Sequence, residues 1–369
     1  MNLRDPLPRQ SSRSRWPSTF NHRGIVILAG LLLLLAGFSL VTFLLNFDQL
    51  QRLAEESNGT ADLVRPASDS RAGNEIAESR SEAPPAPLDS AEVEAWLVPL
   101  NHYRAMVGLA PVTADPQLSR GDLRHSHYLA VNYGPLGAKL SLGADAHTED
   151  PAKPAFTADG AAAARASDID WSWNPHSRPK PSWAIGNWMQ VPFHRMQIIN
   201  PYLPKVGYGS DCQGVVCFAA LNTGSDVTRP AAMPELWPRP VAFPPDGSVM
   251  PTGQFSEEWP SPLTSCPGYV SPAGLPITLE LGYMLVPDLS DYSVTDVDHS
   301  TPIEACAFNA DTYVNPDTIA QTAARAILRE FGAIIVMPRQ PLSSGRYAVS
   351  VTAGKKYSWA FHIGTRNLD

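Results

Sequence analysis

The stretch WMQVPFHRMQIINPYLPKVGYG (Trp188 to Gly209) decides how the first half of this 369-residue chain reads. Its front belongs to a helical pattern running from Ser182 to Ile199, and its end enters a strand over Val206 to Ser210. Val215 to Asn222 predicts a second strand beyond a Gly-containing turn. Upstream, Val93, Trp96, Leu97, Leu100 and Val107 fall near one helical face, and Asp89 with Glu92 forms a capping pair. Pro99 kinks or delays that helix. Asp115 to Tyr133 and Gly160 to Ala166 predict two more helices. Helices mixed with strands, without regular alternation, predict an α+β class.

Beyond this region the composition changes. Between Arg229 and Pro276 there are 12 prolines in 48 residues, which predicts a linker over 229–240 and the edge of a further domain from 241. Short alternating segments then dominate, apart from a helical run at Thr318 to Phe331. The clearest pair is Arg346 to Thr352 and Tyr357 to Ile363, joined at Ala353-Gly354-Lys355. Residues 241–369 therefore predict a β-sandwich, and residues 88–228 a separate domain.

The N-terminal side reads differently. Residues 1–23 carry five Arg and one Asp, and residues 24–46 form an apolar run whose first 22 residues, Gly24 to Leu45, hold no charge. A helix of that length crosses a hydrocarbon core of about 30 Å. The positive-inside rule puts the N-terminus in the cytoplasm and the rest outside, in a single-pass arrangement. A cleaved signal peptide gives the same final compartment, but its apolar region is normally shorter, about 7–15 residues. Residues 47–87 are rich in Glu, Ser, Arg, Ala and Pro and predict a disordered spacer. The net charge of −8 divides into +4 for the basic tail and −12 for the remainder, which excludes nucleic acid as the main partner.

Outside a membrane, the four cysteines are expected to pair. Cys212 and Cys217 flank the turn of a strand pair, and Cys266 and Cys306 would then staple the last domain; three connectivities are formally open. Six of the nine histidines lie between residues 102 and 194. His147 stands two residues from Glu149, His194 lies in the quoted block, and His125, Tyr128 and Asn132 share one helical face. Two imidazoles and a carboxylate converging in a cleft would suit a divalent cation such as zinc, leaving positions for water. The same residues could form a neutral hydrogen-bonded cluster. Hydrolase elbows, His-Glu-x-x-His, an unpaired Cys nucleophile and Gly-rich phosphate loops are absent. Trp171, Trp173, Trp183 and Trp188 either line a cleft or pack a Pro-rich loop.

The quoted block, LNHYRAMVGLAPV (Leu100 to Val112), the His125/Tyr128/Asn132 helix and His147 together resemble the CAP (SCP/pathogenesis-related) superfamily, bacterial branch. The resemblance covers about residues 90–225. It implies an α-β-α sandwich with a central cleft, where two His and two acidic residues commonly face each other and some members bind a divalent cation. His147 and His194 take the two His positions. The family's Gly-Glu-Asn motif is missing, and either Asp168 or Glu149 stands in for its acidic residue. The C-terminal strands resemble the immunoglobulin-like accessory domains attached to such proteins. The expected function is a membrane-anchored, non-enzymatic module binding a lipid or cell-envelope ligand; the alternative is a metal-assisted hydrolase of peptide, lipid or wall material.

Overall fold

The computed structural model describes residues 90–173, 180, 182–225, 227 and 235–364. The basic tail, the apolar run at 24–46 and the spacer at 47–87 lie outside the described residues. Among the described residues, no helix is long and apolar enough to cross a membrane. The fold is α+β, and the described residues belong to one compact unit within Arg80–Asp369.

The chain enters through α1 (Ser90–Met106), which passes Pro99 without ending. Arg104 on its last turn is buried, and its guanidinium donates to the carbonyls of Ala110, Ile198 and Asn200. After the short β1 (Thr113–Ala114), Asp115 caps α2 (Pro116–Tyr133) by accepting from the amides of Gln117 and Leu118, with Pro116 at the first helical position. Two 3-10 turns follow, Gly134–Lys139 and Gly143–His147. Next come α3 (Ala158–Ala166), β2 (Ser167–Trp173), α4 (Trp183–Trp188) and α5 (Pro192–Ile198). The single helix expected over Ser182 to Ile199 is thus two, because Pro192 cannot donate and instead opens the second. β3 (Lys205–Gln213) and β4 (Val216–Asn222) complete a sheet of order β1-β3-β4-β2, with β1 parallel to β3 and the other pairs antiparallel.

Every residue of β4 is buried, and alternation divides its side chains between two cores. Val216, Phe218 and Ala220 join Tyr128, Leu129 and Ala130 of α2. Ala219 and Leu221 join Trp96 and Leu100 of α1, Ile185 and Trp188 of α4 and Phe193 of α5. A strand covered on both faces reads as a continuous apolar run, which VCFAAL is. Cys212 and Cys217 close the β3–β4 turn with a disulfide.

The second half is built from two sheets. β5 (Glu235–Phe243), β9 (Ile277–Tyr283), β12 (Ala305–Phe308) and β13 (Ala333–Pro338) form one, in the order β12-β13-β9-β5. β6 (Val249–Met250), β10 (Leu289–Asp296), β11 (Thr301–Ile303), β14 (Gly345–Ala353) and β15 (Lys355–Ile363) form the other, in the order β11-β10-β14-β15-β6. Val294, Val349, Val351 and Phe361 from the second sheet share a core with Ile277, Leu279 and Ile335 from the first, giving a β-sandwich-like pair. β7 (Gln254–Phe255) pairs β8 (Ala273–Gly274), and α6 (Thr318–Glu330) is capped by Asp317 and buries Ala320, Ala324 and Leu328. A disulfide joins Cys266 to Cys306.

One expectation needs correction. The linker placed at 229–240 ends too late, since β5 begins at Glu235 and pairs with β9 from Glu235↔Tyr283. Pro238 and Pro240 fall inside this strand, where the pairing register shifts between Leu236 and Val241. Proline is tolerated there because β5 lies at the sheet edge. The core that contains Trp96 and Trp188 also contains Phe243, Ile277 and Ile335, so the two halves share buried contacts.

Candidate functional site

Three of the sequence-predicted residues meet at one cavity of about 370 Å³, within the size range of small-molecule sites. His147 arrives on the 3-10 turn, Asp168 on β2 and His194 on α5. Thr223, Gln197 and exposed Arg165 also border the space. The rest of its lining includes Trp259 and Pro260, from the loop after β7, and Ala323 and Ile327 of α6. The cavity therefore belongs to both halves of the unit.

His194 is held twice by one carboxylate. Glu258 Oε1 accepts from the His194 backbone amide at 3.0 Å and from Nδ1 at 2.8 Å. Burial alone would push this imidazole down; the hydrogen bond and charge of Glu258, with the charges of Asp168 and Asp170, outweigh it and hold the group at about 9. His194 is thus an imidazolium at neutral pH. The Glu258 side chain is fully buried, and its Oε2 has no hydrogen-bond partner among the described residues.

His147 behaves oppositely. Its Nδ1 donates to the Ala164 carbonyl at 3.2 Å, and burial, then the nearby His194 charge, push the ring down to about 4. It is neutral, with the proton on Nδ1, and the Ser167 backbone is a further hydrogen-bond partner of the ring. Asp168 accepts from the Thr223 hydroxyl at 3.4 Å, and burial pushes its carboxyl up to about 7 against the pull of His194. Neighbouring Asp122 on α2 accepts from the Ser167 hydroxyl at 2.7 Å and the Asn222 amide at 3.2 Å, which anchors the start of β2; burial raises it to about 7.

The other two candidates lie elsewhere. His125 is fully buried: Nε2 donates to the Ala146 carbonyl at 2.8 Å, and Nδ1 lies 3.0 Å from Glu149 Oε1. The other oxygen of Glu149 accepts from the Thr157 amide. Tyr128 Oη accepts from the Asp150 amide, and Asn132 donates to the Pro154 carbonyl, so this helix face fastens the 149–157 loop. Of the two acidic candidates, Asp168 reaches the cavity with the histidines.

A divalent cation fits poorly. Both His147 and His194 have Nδ1 engaged, which would leave Nε2 for a metal. Yet among the described residues no group of three or more His, Cys, Asp or Glu side chains is arranged to hold one, and catalytic zinc takes three protein ligands.

Sequence reasoning missed Glu258 and Trp259, which lie in the proline-rich stretch 64 residues beyond His194. The only local signal was an acidic pair beside a Trp, Glu257-Glu258-Trp259, and nothing in its spacing points to α5.

The charges predict a pH response. His194, raised in the folded state, contributes stability that is complete below its unfolded value near 6.5 and is lost as pH rises through 9. Between pH 7.5 and 9 that loss is about 2 kcal/mol at 1.4 kcal/mol per unit. Urea unfolding at the two pH values should show it, and His194→Gln should flatten the difference. Equal stability at both pH values in the unsubstituted protein would mean His194 is not held as a cation.

No family model and no curated protein matches the chain. Among solved structures, it is similar to the crystal structure of PcoC, a methionine rich copper resistance protein from Escherichia coli, at 16% identity and a TM-score of 0.19. That match covers 36% of this chain and 99% of that one. The selenomethionine form of PcoC is similar at 15% identity over 35% of this chain and 99% of that one, with a TM-score of 0.18.

Proposed function

We propose that this protein is a membrane-anchored, extracytoplasmic module of CAP type that binds a small ligand in the cavity between its α/β half and its C-terminal β-sandwich. The convergence of His147, Asp168 and His194 on one cavity carries this reading. Three further features support it. The two-sided burial of β4 suits a CAP-type α-β-α sandwich. The paired sheets suit an immunoglobulin-like domain. Two disulfides suit an oxidising compartment, where the basic tail and apolar run would place these residues.

A binding role suits the chemistry better than turnover. Among the described residues, no Ser or Cys nucleophile stands beside a free base at the cavity, since the Ser167 hydroxyl is spent on Asp122 and all four cysteines are bridged. No group of three ligands among the described residues is arranged for the metal-assisted hydrolase. The C-terminal half takes part in the site: its loop supplies the carboxylate that fixes His194 and the indole that borders the cavity.

Ala323→Trp, which fills the cavity from α6, provides the test. The full-length chain, purified gently and examined by native mass spectrometry with elemental analysis, should retain a small molecule that Ala323→Trp loses, and should hold no stoichiometric metal. Stoichiometric zinc, lost in both His147→Ala and His194→Ala, would overturn the binding reading in favour of the hydrolase.

A further inference from the structure

The hydrogen-bonding groups that border the cavity are mixed in sign, and this restricts what it can hold. His147 has spent Nδ1 on Ala164, and the Ser167 backbone is a further hydrogen-bond partner of its ring. His194 has spent Nδ1 on Glu258, so Nε2 is left for the cavity, as donor or acceptor according to its charge. Asp168 uses one oxygen for Thr223. A ligand carboxylate only accepts; it would suit His194 and Arg165 but would face the buried carboxyl of Asp168. A ligand ammonium only donates; it would suit the Asp168 carboxyl but meet the His194 cation and Arg165. A hydroxyl both donates and accepts, so it satisfies each of these groups in either ionisation state.

Several such groups on one wall require several hydroxyls, which excludes a ligand with one polar end. The wall from the C-terminal half is apolar and carries an indole: Trp259 lies with its ring centroid 6.2 Å from that of His147. An indole face paired with polar groups fits a ring that is apolar on one face and hydroxylated at its edge. We infer that the cavity is a saccharide site, in which a neutral sugar ring packs on Trp259 while its hydroxyls are read by His147, Asp168 and His194. This rests on the binding reading above and names its ligand class. Glu258, by fixing His194 from the other half, is a positioning residue for it.

The test is calorimetry on the full-length chain in a detergent without a sugar head, titrated with maltotriose, cellotriose and chitotriose, and with palmitate and spermidine as charged comparators. At least one trisaccharide should bind. Trp259→Ala should weaken it about tenfold or more, Trp259→Phe should keep most of the affinity, and Asp168→Asn should weaken it without changing the melting profile by circular dichroism. Ala323→Trp should abolish it. Octyl glucoside competing better than the trisaccharide would support the head of a glycolipid as the source of the ring; worse competition would support a glycan chain. Binding of palmitate or spermidine that Ala323→Trp abolishes, with the sugars silent, overturns the saccharide and leaves the binding reading standing. If all probes are silent, the molecule retained by the unsubstituted protein decides: a sugar upholds the inference and any other class overturns it. Silence together with an empty protein overturns both.

Discussion

Arg195→Met should cost the protein about 3–5 kcal/mol in urea unfolding, because this side chain is a buried cation fastened to both halves of the unit. Arg195 is fully buried on α5, directly after His194. One terminal nitrogen donates to the Met189 carbonyl within its own half, at 2.9 Å. The other donates to the Pro276 carbonyl at 2.9 Å, at the entrance to β9. The guanidinium carbon stands 4.2 Å from the centre of the Phe243 ring on β5. Methionine keeps most of the length and apolar bulk, so the loss is electrostatic: two carbonyls lose their donor and Glu280 loses its neighbouring cation. Burial already pushes Glu280 well above the ordinary carboxylate range, with Arg195 as the leading opposing influence.

The double variant Arg195→Met/Glu280→Gln isolates that charge contribution. It should recover more than about 1 kcal/mol of the single variant's loss, because an uncharged amide no longer needs the cation. A single variant within 1 kcal/mol of the unsubstituted protein would mean that the shared core alone joins the halves. Reduced saccharide affinity in Arg195→Met, with the Trp259 variant as reference, would connect the joint to the cavity, since Glu258 reaches His194 only while the halves are docked.

Consecutive residues His194 and Arg195 thus engage the sandwich in different ways, one through Glu258 and one through Pro276 and Phe243. This contact was not legible in the sequence. The α2 extent, the β3–β4 turn and the β14–β15 hairpin were, because each depends on local signals such as a glycine turn and period-two alternation, whereas the Cys212–Cys217 bridge was one of three open connectivities. β2 was missed because SDIDWSW mixes acidic and aromatic residues, and its identity as a strand comes from pairing with β4 over Ser167↔Asn222 to Trp173↔Val216. The candidate site divides in the same way. His147, Asp168 and His194 could be named from motif order, but choosing Asp168 over Glu149 needed the contact that removes Glu149 to His125. Glu258 and Trp259 required tertiary structure, since nothing near them in sequence faces a histidine.

Gly209→Ala should be the most damaging small substitution in the α/β half, destabilising by about 3 kcal/mol or more. A Cβ at this position would lie 2.1 Å from the backbone nitrogen of Leu123 and 2.4 Å from its Cα, so α2 rests directly on the backbone of β3. Gly207 repeats the approach one pleat earlier, with its added carbon 2.4 Å from the Leu118 carbonyl carbon. A flexible side chain could swing aside from such an overlap, but helix backbone can only move as a unit. Lifting α2 would stretch the bond from the Ser126 hydroxyl to the Gly209 carbonyl, now 2.9 Å, and the bond from the Tyr208 amide to the Ser119 hydroxyl, now 3.2 Å. It would also withdraw Asp122 from Ser167 and Asn222, loosening the first residue of β2 beside Asp168. The loss should therefore appear twice, as a lower urea midpoint and as weaker ligand retention. Gly186→Ala is the control. It lies in α4 with nothing within 4 Å of an added carbon, so alanine there should be neutral or stabilising by up to about 1 kcal/mol. If the two variants unfold at the same urea concentration, the helix does not rest on that strand as closely as the geometry states.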